Sequence, residues 1–198
     1  MSDIYRTITA PSEAIFTEKR SKFLAFAYPV GSVDEVKERI AVLSKKYFDA
    51  RHICYAYMLG PQRTEFRAND NGEPSGTAGK PILGQINSLE LTNILVAVVR
   101  YFGGIKLGTS GLIIAYRQAT RDALEAADIV ELHDTRLIKF TYPYMAMNDV
   151  MKVAHADGCE TTDSTFDNSC SMTLRVHADL EARIRARLAD IDGLTFDD

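Results

Sequence analysis

The sequence predicts an α+β protein in two parts. Two observations carry this. An apolar strand runs through a glycine-rich loop into a helix (residues 93–127), and the last 64 residues alternate periods of 2 and 3.6 in the order βαββαβ. Charge divides the chain at the same place. Residues 1–134 carry 16 basic and 16 acidic side chains and residues 135–198 carry 7 and 11, so the whole net charge of -4 falls in the C-terminal third. A boundary is therefore expected near His133 and Asp134, giving domains 1–134 and 135–198, although no Pro/Gly-rich linker marks it.

The first expected strand is Lys22–Val30, closed by Gly31. Ser32 stands three residues before Glu35, the spacing of a capping box, and Val33, Val36, Ile40, Leu43 and Tyr47 follow at helical intervals. HICYAYMLG reads as a second strand. Residues 60–80 contain two Arg, one Lys, NDNG and four Gly without clear periodicity, a length that points to a binding surface or a mobile flap. Asn93–Tyr101 reads as a buried strand, and Leu112, Tyr116, Ala119 and Ala123 as the apolar stripe of the helix beyond the loop. In the C-terminal part, Ile138, Phe140 and Tyr142 alternate. Met147, Val150, Met151 and Ala154 fit a helix stopped at Gly158, and two strands flank a turn at Asp167-Asn168. Leu180, Ile184 and Leu188 mark a second helix before the strand Leu194–Phe196. This order specifies a ferredoxin-like domain.

Composition excludes several classes. Three cysteines, Cys54, Cys159 and Cys170, are too few and too scattered for a disulfide framework or a closed zinc site, which suits a reducing, cytoplasmic setting. MSDIYRTITAPSEA lacks a basic region followed by an apolar core, and the longest apolar run, Ile94–Val99, is far short of the roughly 20 residues of a bilayer helix. Neither a signal peptide nor a membrane span is expected. No metal site and no cofactor are expected.

The strongest chemical signal is GGIKLGTSG, Gly103–Gly111. Glycines permit close approach, and a helix that starts there offers unpaired amides to an anion. A nucleotide-hydrolase loop needs Lys where this chain has Thr109, and GxGxxG is absent. The loop residues Gly103, Gly104, Gly108, Thr109 and Ser110 are thus candidates for contact with a phosphate backbone or another anion. Lys80, Arg100 and Lys106, with Arg63 and Arg67, are candidate cations, and Tyr101 and Phe102 candidate stacking surfaces. The competing structural reading pairs Arg100 with Glu73 or Asp70 and places the aromatics in a core. Asp70 and Glu73 are the weak candidates for acid/base work or for a hard metal, against a plain role in turns. His52 and Cys54 fall on one strand face, a weak metal or nucleophile signal. Ser75 and Ser110 lack a nucleophile elbow. Arg183, Arg185 and Arg187 step around a helix rather than forming one row.

The segments EKRSKFLAFAYPV, DARHICYAYMLG, NDNGEPSGTAGKPIL and VAVVRYFGGIKLGTSGLIIAY resemble the YigZ/IMPACT family, UPF0029, and the resemblance extends over essentially the whole chain. It implies a ribosomal protein S5 domain 2-like fold for residues 1 to about 131 and a ferredoxin-like fold for the rest, a pair similar to the last two domains of elongation factor G. The family pattern maps onto Arg51, His52, Asp70, Gly72, Glu73, Pro74, Gly76, Thr77, Ala78, Gly79, Arg100, Tyr101, Phe102, Gly103, Gly104, Lys106, Leu107, Gly108 and Gly111. The function it implies is RNA or ribosome interaction with a part in translation regulation, and the anion-compatible loop beside basic and aromatic residues points to the same kind of binding protein, in which Lys80, Arg100 and Lys106 contact phosphate. The alternatives are a hydrolase or transferase acting on a small phosphorylated or anionic substrate through Asp70 and Glu73, and a protein-partner module that uses an open ferredoxin-like sheet.

Overall fold

The computed structural model describes residues 4–167 and 169–197 and divides the chain into two units, Tyr5–Leu132 and one that takes Ile4 together with the residues from His133 onward, so that the first residue of β1 and the last of β7 fall in the second. The larger unit contains β1 (Ile4–Ile8), β2 (Ser12–Glu18), β3 (Ser21–Pro29), α1 (Val33–Lys46), β4 (His52–Leu59), β5 (Glu65–Asn69), α2 (Gly79–Ser88), β6 (Ile94–Tyr101), α3 (Gly108–Glu125) and β7 (Ile129–His133). Five strands form one antiparallel sheet in the order β2-β3-β6-β4-β5, while β1 and β7 pair separately. Side-chain parity sends the two faces of this sheet to different helices. Leu43 of α1 packs with Phe26, Ile53, Ala97 and Val99, and Val36 with Tyr57, Leu59 and Leu95. On the opposite face, Ile82 and Ile86 of α2 and Leu112, Ala115, Tyr116 and Ala119 of α3 pack on Phe23, Ala25, Cys54, Ala56, Val96 and Val98. With both faces covered, β6 reads as a continuous apolar run although its neighbours are antiparallel.

The expected caps and stripes appear where the physics demanded them. Ser32 Oγ accepts the Glu35 amide at 3.2 Å, while Glu35 Oε2 reaches back to the Gly31 amide at 3.1 Å, one residue earlier than in the usual reciprocal box. The stretch 60–80 departs from expectation. It contains β5, hydrogen-bonded to β4, and ends in the start of α2. Neither element was legible. β5 lies at the sheet edge and is largely exposed, so it shows no alternation, and α2 carries Gly79, Pro81 and Gly84, with Pro81 tolerated because it sits in the first turn. The strands β1, β2 and β7 also lie outside the expected elements, and α3 starts four residues ahead of its first buried residue, Leu112.

The smaller unit contains β8 (Thr135–Pro143), a 3-10 turn (Tyr144–Ala146), α4 (Met147–Ala154), β9 (Cys159–Thr165), β10 (Ser169–His177), α5 (Glu181–Ala189) and β11 (Thr195–Phe196). Its antiparallel sheet has the order β11-β8-β10-β9. Ile138, Phe140 and Tyr142 alternate with less buried neighbours and share a core with Cys170, Met172, Leu174, Val176, Val150, Ile184 and Leu188. Of the expected turn at Asp167-Asn168, Asn168 lies outside the described residues.

The β2–β3 hairpin turns through Lys19 and Arg20, both at positive φ (45° and 65°), and Gly103 rests directly on that turn. Its amide donates to Ser21 Oγ at 3.1 Å, and a Cβ at Gly103 would overlap the backbone of Arg20 and Ser21. Gly103→Ala is therefore expected to destabilise by about 2–4 kcal/mol through forced backbone movement. Gly104→Ala, where a Cβ meets nothing but φ is +88°, is expected to cost only about 1–2 kcal/mol. Urea denaturation of the two variants checks the order.

Candidate functional site

The loop between β5 and α2 is organised by one carboxylate. Asp70 accepts the amides of Gly76 (2.8 Å), Ala78 (3.0 Å) and Gly79 (2.8 Å), and so caps α2 from eight and nine residues away. Partial burial works against its charge, but the Gly76, Gly79 and Ala78 hydrogen bonds and the nearby Lys80 outweigh it and hold the carboxyl below its ordinary range. The Asp70 carbonyl accepts the Glu73 amide (2.9 Å) and the Cys54 thiol (2.9 Å), and the Asn71 carbonyl lies 2.9 Å from His52 Nδ1. Gly79 passes so near Asn69 that a Cβ there would clash with its backbone.

This loop delivers Glu73 to the interior. Arg100, on the α3-facing side of β6, donates from Nη1 to Glu73 Oε1 at 2.6 Å, and the Tyr116 hydroxyl donates to the same oxygen at 2.9 Å. The two charged side chains are 8% and 3% exposed. The Cys54 thiol stands 3.3 Å from the Tyr116 oxygen. Burial pushes the thiol up to about 12 and raises the phenol strongly, the latter reinforced by Cys54 and Glu73, so both stay protonated and neither is a ready nucleophile. The guanidinium is flanked by Phe23 and Phe102, at 5.6 and 5.8 Å from the ring centroids. Among the described residues its Nε has no hydrogen-bond partner, a deficit of about 1–3 kcal/mol for a buried donor left unmet.

Above this pair opens a cavity of about 770 Å³, lined by Arg51, His52, Glu73, Arg100, Tyr101, Phe102 and Lys106 among others, and by the first turn of α3 at Gly108 and Thr109. Arg51 and Lys106 are exposed, as are Gly108 and Thr109. The cap position of α3, Leu107, supplies no side-chain hydrogen bond to the helix amides. On the rim, Tyr101 donates to Asp49 at 2.7 Å, and this bond, followed by burial, pushes its phenol up to about 12.

The sequence candidates are thus distributed over several places. Glu73, His52, Arg100, Tyr101, Phe102, Lys106, Gly108 and Thr109 meet at the cavity. Gly103 is held on the β2–β3 turn, while Gly104 and Ser110 are exposed without lining the cavity. Lys80 lines a different depression with Arg117, Gly76 and Gln85. Arg63 donates to Asn87 at 2.6 Å, and Arg67 lies exposed on β5. His52 and Cys54 share a face, but their polar atoms go to separate carbonyl groups of the Asp70 loop. Arg51 was not singled out as a cation of the site. The signal was present in the pair Arg51-His52, because the register of β4 against β6 sets His52 opposite Arg100.

The larger unit is therefore an α+β domain with a buried ion pair under a cation-lined cavity. Residues 19–124 match the family described as the Impact N-terminal domain, and the chain belongs to the IMPACT/YigZ family, UPF0029. It is 36% identical over 140 residues to the IMPACT family member YvyE of Bacillus subtilis (strain 168), spanning 71% of this chain and 64% of that protein. To an IMPACT family member in the pol 5′ region of Thermus thermophilus it is 35% identical over 158 residues, 80% of this chain and 85% of that one. A solved structure described as the crystal structure of a hypothetical protein superposes with a TM-score of 0.73 at 26% identity, covering 99% of this chain and 97% of the other. Among the described residues no helix is long and apolar enough to cross a membrane.

Removing one member of the buried pair leaves the other charged and unmatched. Arg100→Leu and Glu73→Leu are each expected to destabilise by about 3–5 kcal/mol, with the double variant well short of the sum; chemical denaturation of the cycle measures this. Asp70 has a lowered carboxyl, so its contribution is present above about pH 4 and is lost as pH falls through the folded value. Asp70→Asn is expected to lose about 2–3 kcal/mol near neutral pH, and the gap to the parent protein should close as the solution is acidified.

Proposed function

We propose that this chain binds RNA, in a ribosome-associated role connected with translation, and that the cavity beside β6 is where it does so. The observation that carries the reading is that Arg51, Lys106 and the first turn of α3, to which the cap residue Leu107 gives no side-chain hydrogen bond, line one cavity with the half-exposed ring of Phe102. Phosphate is served by the first three and an unstacked base by the fourth, a combination suited to single-stranded RNA rather than to a closed duplex. Arg51 and Lys106 meet phosphate here in place of the set Lys80, Arg100 and Lys106 expected from sequence, because the Arg100 charge is met by Glu73 and Lys80 stands in another depression. Asp70 and Glu73 have their carboxylates committed to amides, Arg100 and Tyr116, which favours binding over acid/base catalysis. The domains are read as 1–134, S5 domain 2-like, and 135–198, ferredoxin-like. The βαββαβ order and the strand order β11-β8-β10-β9 support the second assignment. Three free cysteines suit a cytoplasmic setting.

The test is equilibrium binding of the nuclease-treated protein to fluorescent single-stranded RNA, structured RNA and duplex DNA over a salt series. Preference for single-stranded RNA is expected. Arg51→Ala and Lys106→Ala should each weaken binding and lower the slope of log K against log salt by about 0.7. Absence of RNA binding at low salt overturns the proposal, and RNA binding indifferent to both substitutions removes the cavity from it.

A further inference from the structure

We propose that the free edge of β5 is a self-pairing surface, to which a second copy of this chain adds its own β5 antiparallel across a two-fold axis. The inference is independent of the RNA reading and of the cavity. β5 ends the strand order β2-β3-β6-β4-β5 and is hydrogen-bonded on its β4 side alone. In an antiparallel edge strand every second residue turns its amide and carbonyl away from the sheet. Among the described residues no backbone group of Glu65–Asn69 has a backbone partner outside the ladder with β4. Glu65, Phe66, Arg67 and Ala68 are all exposed, the Phe66 side chain at 58%.

The residues on this edge select its occupant. Charges on an exposed edge ordinarily keep other strands away, but on β5 they do the opposite for a copy of the same strand. Because outward-facing backbone groups recur at every second residue, two antiparallel copies meet with one residue opposite its own counterpart. Centred on Glu65 or on Arg67, that register sets like charges against each other. Centred on Phe66, it sets Glu65 opposite Arg67 of the second copy and Arg67 opposite Glu65 of the second copy, with the two phenyl rings across the axis. Registers centred further along β5 make no ion pair. Glu65 and Arg67 lie opposite Leu59 and Tyr57 of β4 and Phe66 opposite Met58, so the ion pairs and the rings fall on different faces of the joined sheet.

Two further observations single out this edge. Among the described residues neither Glu65 nor Arg67 has a side-chain hydrogen bond or ion pair of its own, so both charges are available to a second copy. The other edge strands of the two larger sheets lack the complementarity: β2 carries Glu13 and Glu18, β9 carries Glu160 and Asp163, and β11 carries no charge. Exposed ion pairs and one cross-strand aromatic pair each contribute little, and so short a ladder buries little area, which makes the dimer a reversible one.

The experiment follows the full chain by sedimentation equilibrium from micromolar to millimolar concentration. A reversible monomer–dimer equilibrium is expected. Glu65→Arg and Arg67→Glu each turn both cross-axis pairs into like-charge contacts and should weaken self-association about tenfold, while the thermal midpoint holds because both positions are exposed. The decisive arm mixes the two variants. In a mixed dimer each introduced charge faces its opposite, so the two variants should associate with each other about as tightly as the parent chain does with itself, read by energy transfer between differently labelled copies. The double variant should likewise recover self-association. A chain that stays monomeric up to about 1 mM overturns the proposal. Dimerisation indifferent to both substitutions overturns the assignment to β5, and two weakened variants that fail to associate with each other overturn the antiparallel pairing.

Discussion

The ion pair between Arg100 and Glu73, with the Tyr116 hydroxyl on the same carboxylate, ties three distant parts of the chain at one buried point. Arg100 comes from the end of the central strand, Glu73 from the loop ahead of α2, and Tyr116 from the middle of α3. Arg100 and Tyr116 are placed by the core that β6 shares with α2 and α3, so the pair forms in place only when α3 has docked on that face of the sheet. Its net contribution to stability is small by comparison with what its loss costs, because desolvating both charges offsets most of their attraction. What it secures is position. The loop that carries Glu73 has no buried apolar side chain between Asp70 and Thr77, and without the pair its middle would be held mainly by short-range turns.

Asp70 performs the corresponding task at the loop ends. Three backbone donors converge on its carboxylate while its carbonyl takes a fourth and the Cys54 thiol, so the ends of NDNGEPSGTAGKP are drawn together before the middle is presented to Arg100. The three helix N-termini of the larger unit are closed in different ways. α1 closes its first amides with Ser32 and α2 with Asp70, whereas the cap residue of α3, Leu107, gives its helix no side-chain hydrogen bond. Within the larger unit, the α3 terminus therefore differs from that of α1 in having its cap residue, Leu107, give it no side-chain hydrogen bond.

Much of this was readable from residue order. The alternation of Ile138, Phe140 and Tyr142, the α1 stripe and the α3 stripe all report burial directly, because a covered face selects apolar side chains at the period of the element. The alternative of Arg100 paired with Glu73 was also on offer, since Arg100 continues the parity of Val96 and Val98 toward the helix-covered face. What stayed hidden depends on contacts remote in sequence. β5 is an exposed edge whose strand state comes from pairing with β4, and α2 owes its first turn to a carboxylate outside the helix. The role of Asp70 as a distant cap, and the meeting of Arg51 with Lys106, have no local periodicity to announce them.

The glycine-rich loop illustrates how a motif that suggests flexibility can serve shape. Gly103 is required because the β2–β3 turn occupies the space a side chain would need, and Gly108 because the chain enters α3 with φ at +73°. Both ends of the segment are thereby fixed by steric and conformational demands, and Lys106 lies between two anchored points rather than on a free tether. A cation held this way loses less conformational entropy on meeting an anion than one on a mobile loop, so a site of few charges gains selectivity from placement. The same geometry brings the first turn of α3 up to the end of β6, where Arg100 already lies. The buried pair and the helix terminus are consequently parts of one construction, the first fixing the floor of the cavity and the second lining its wall.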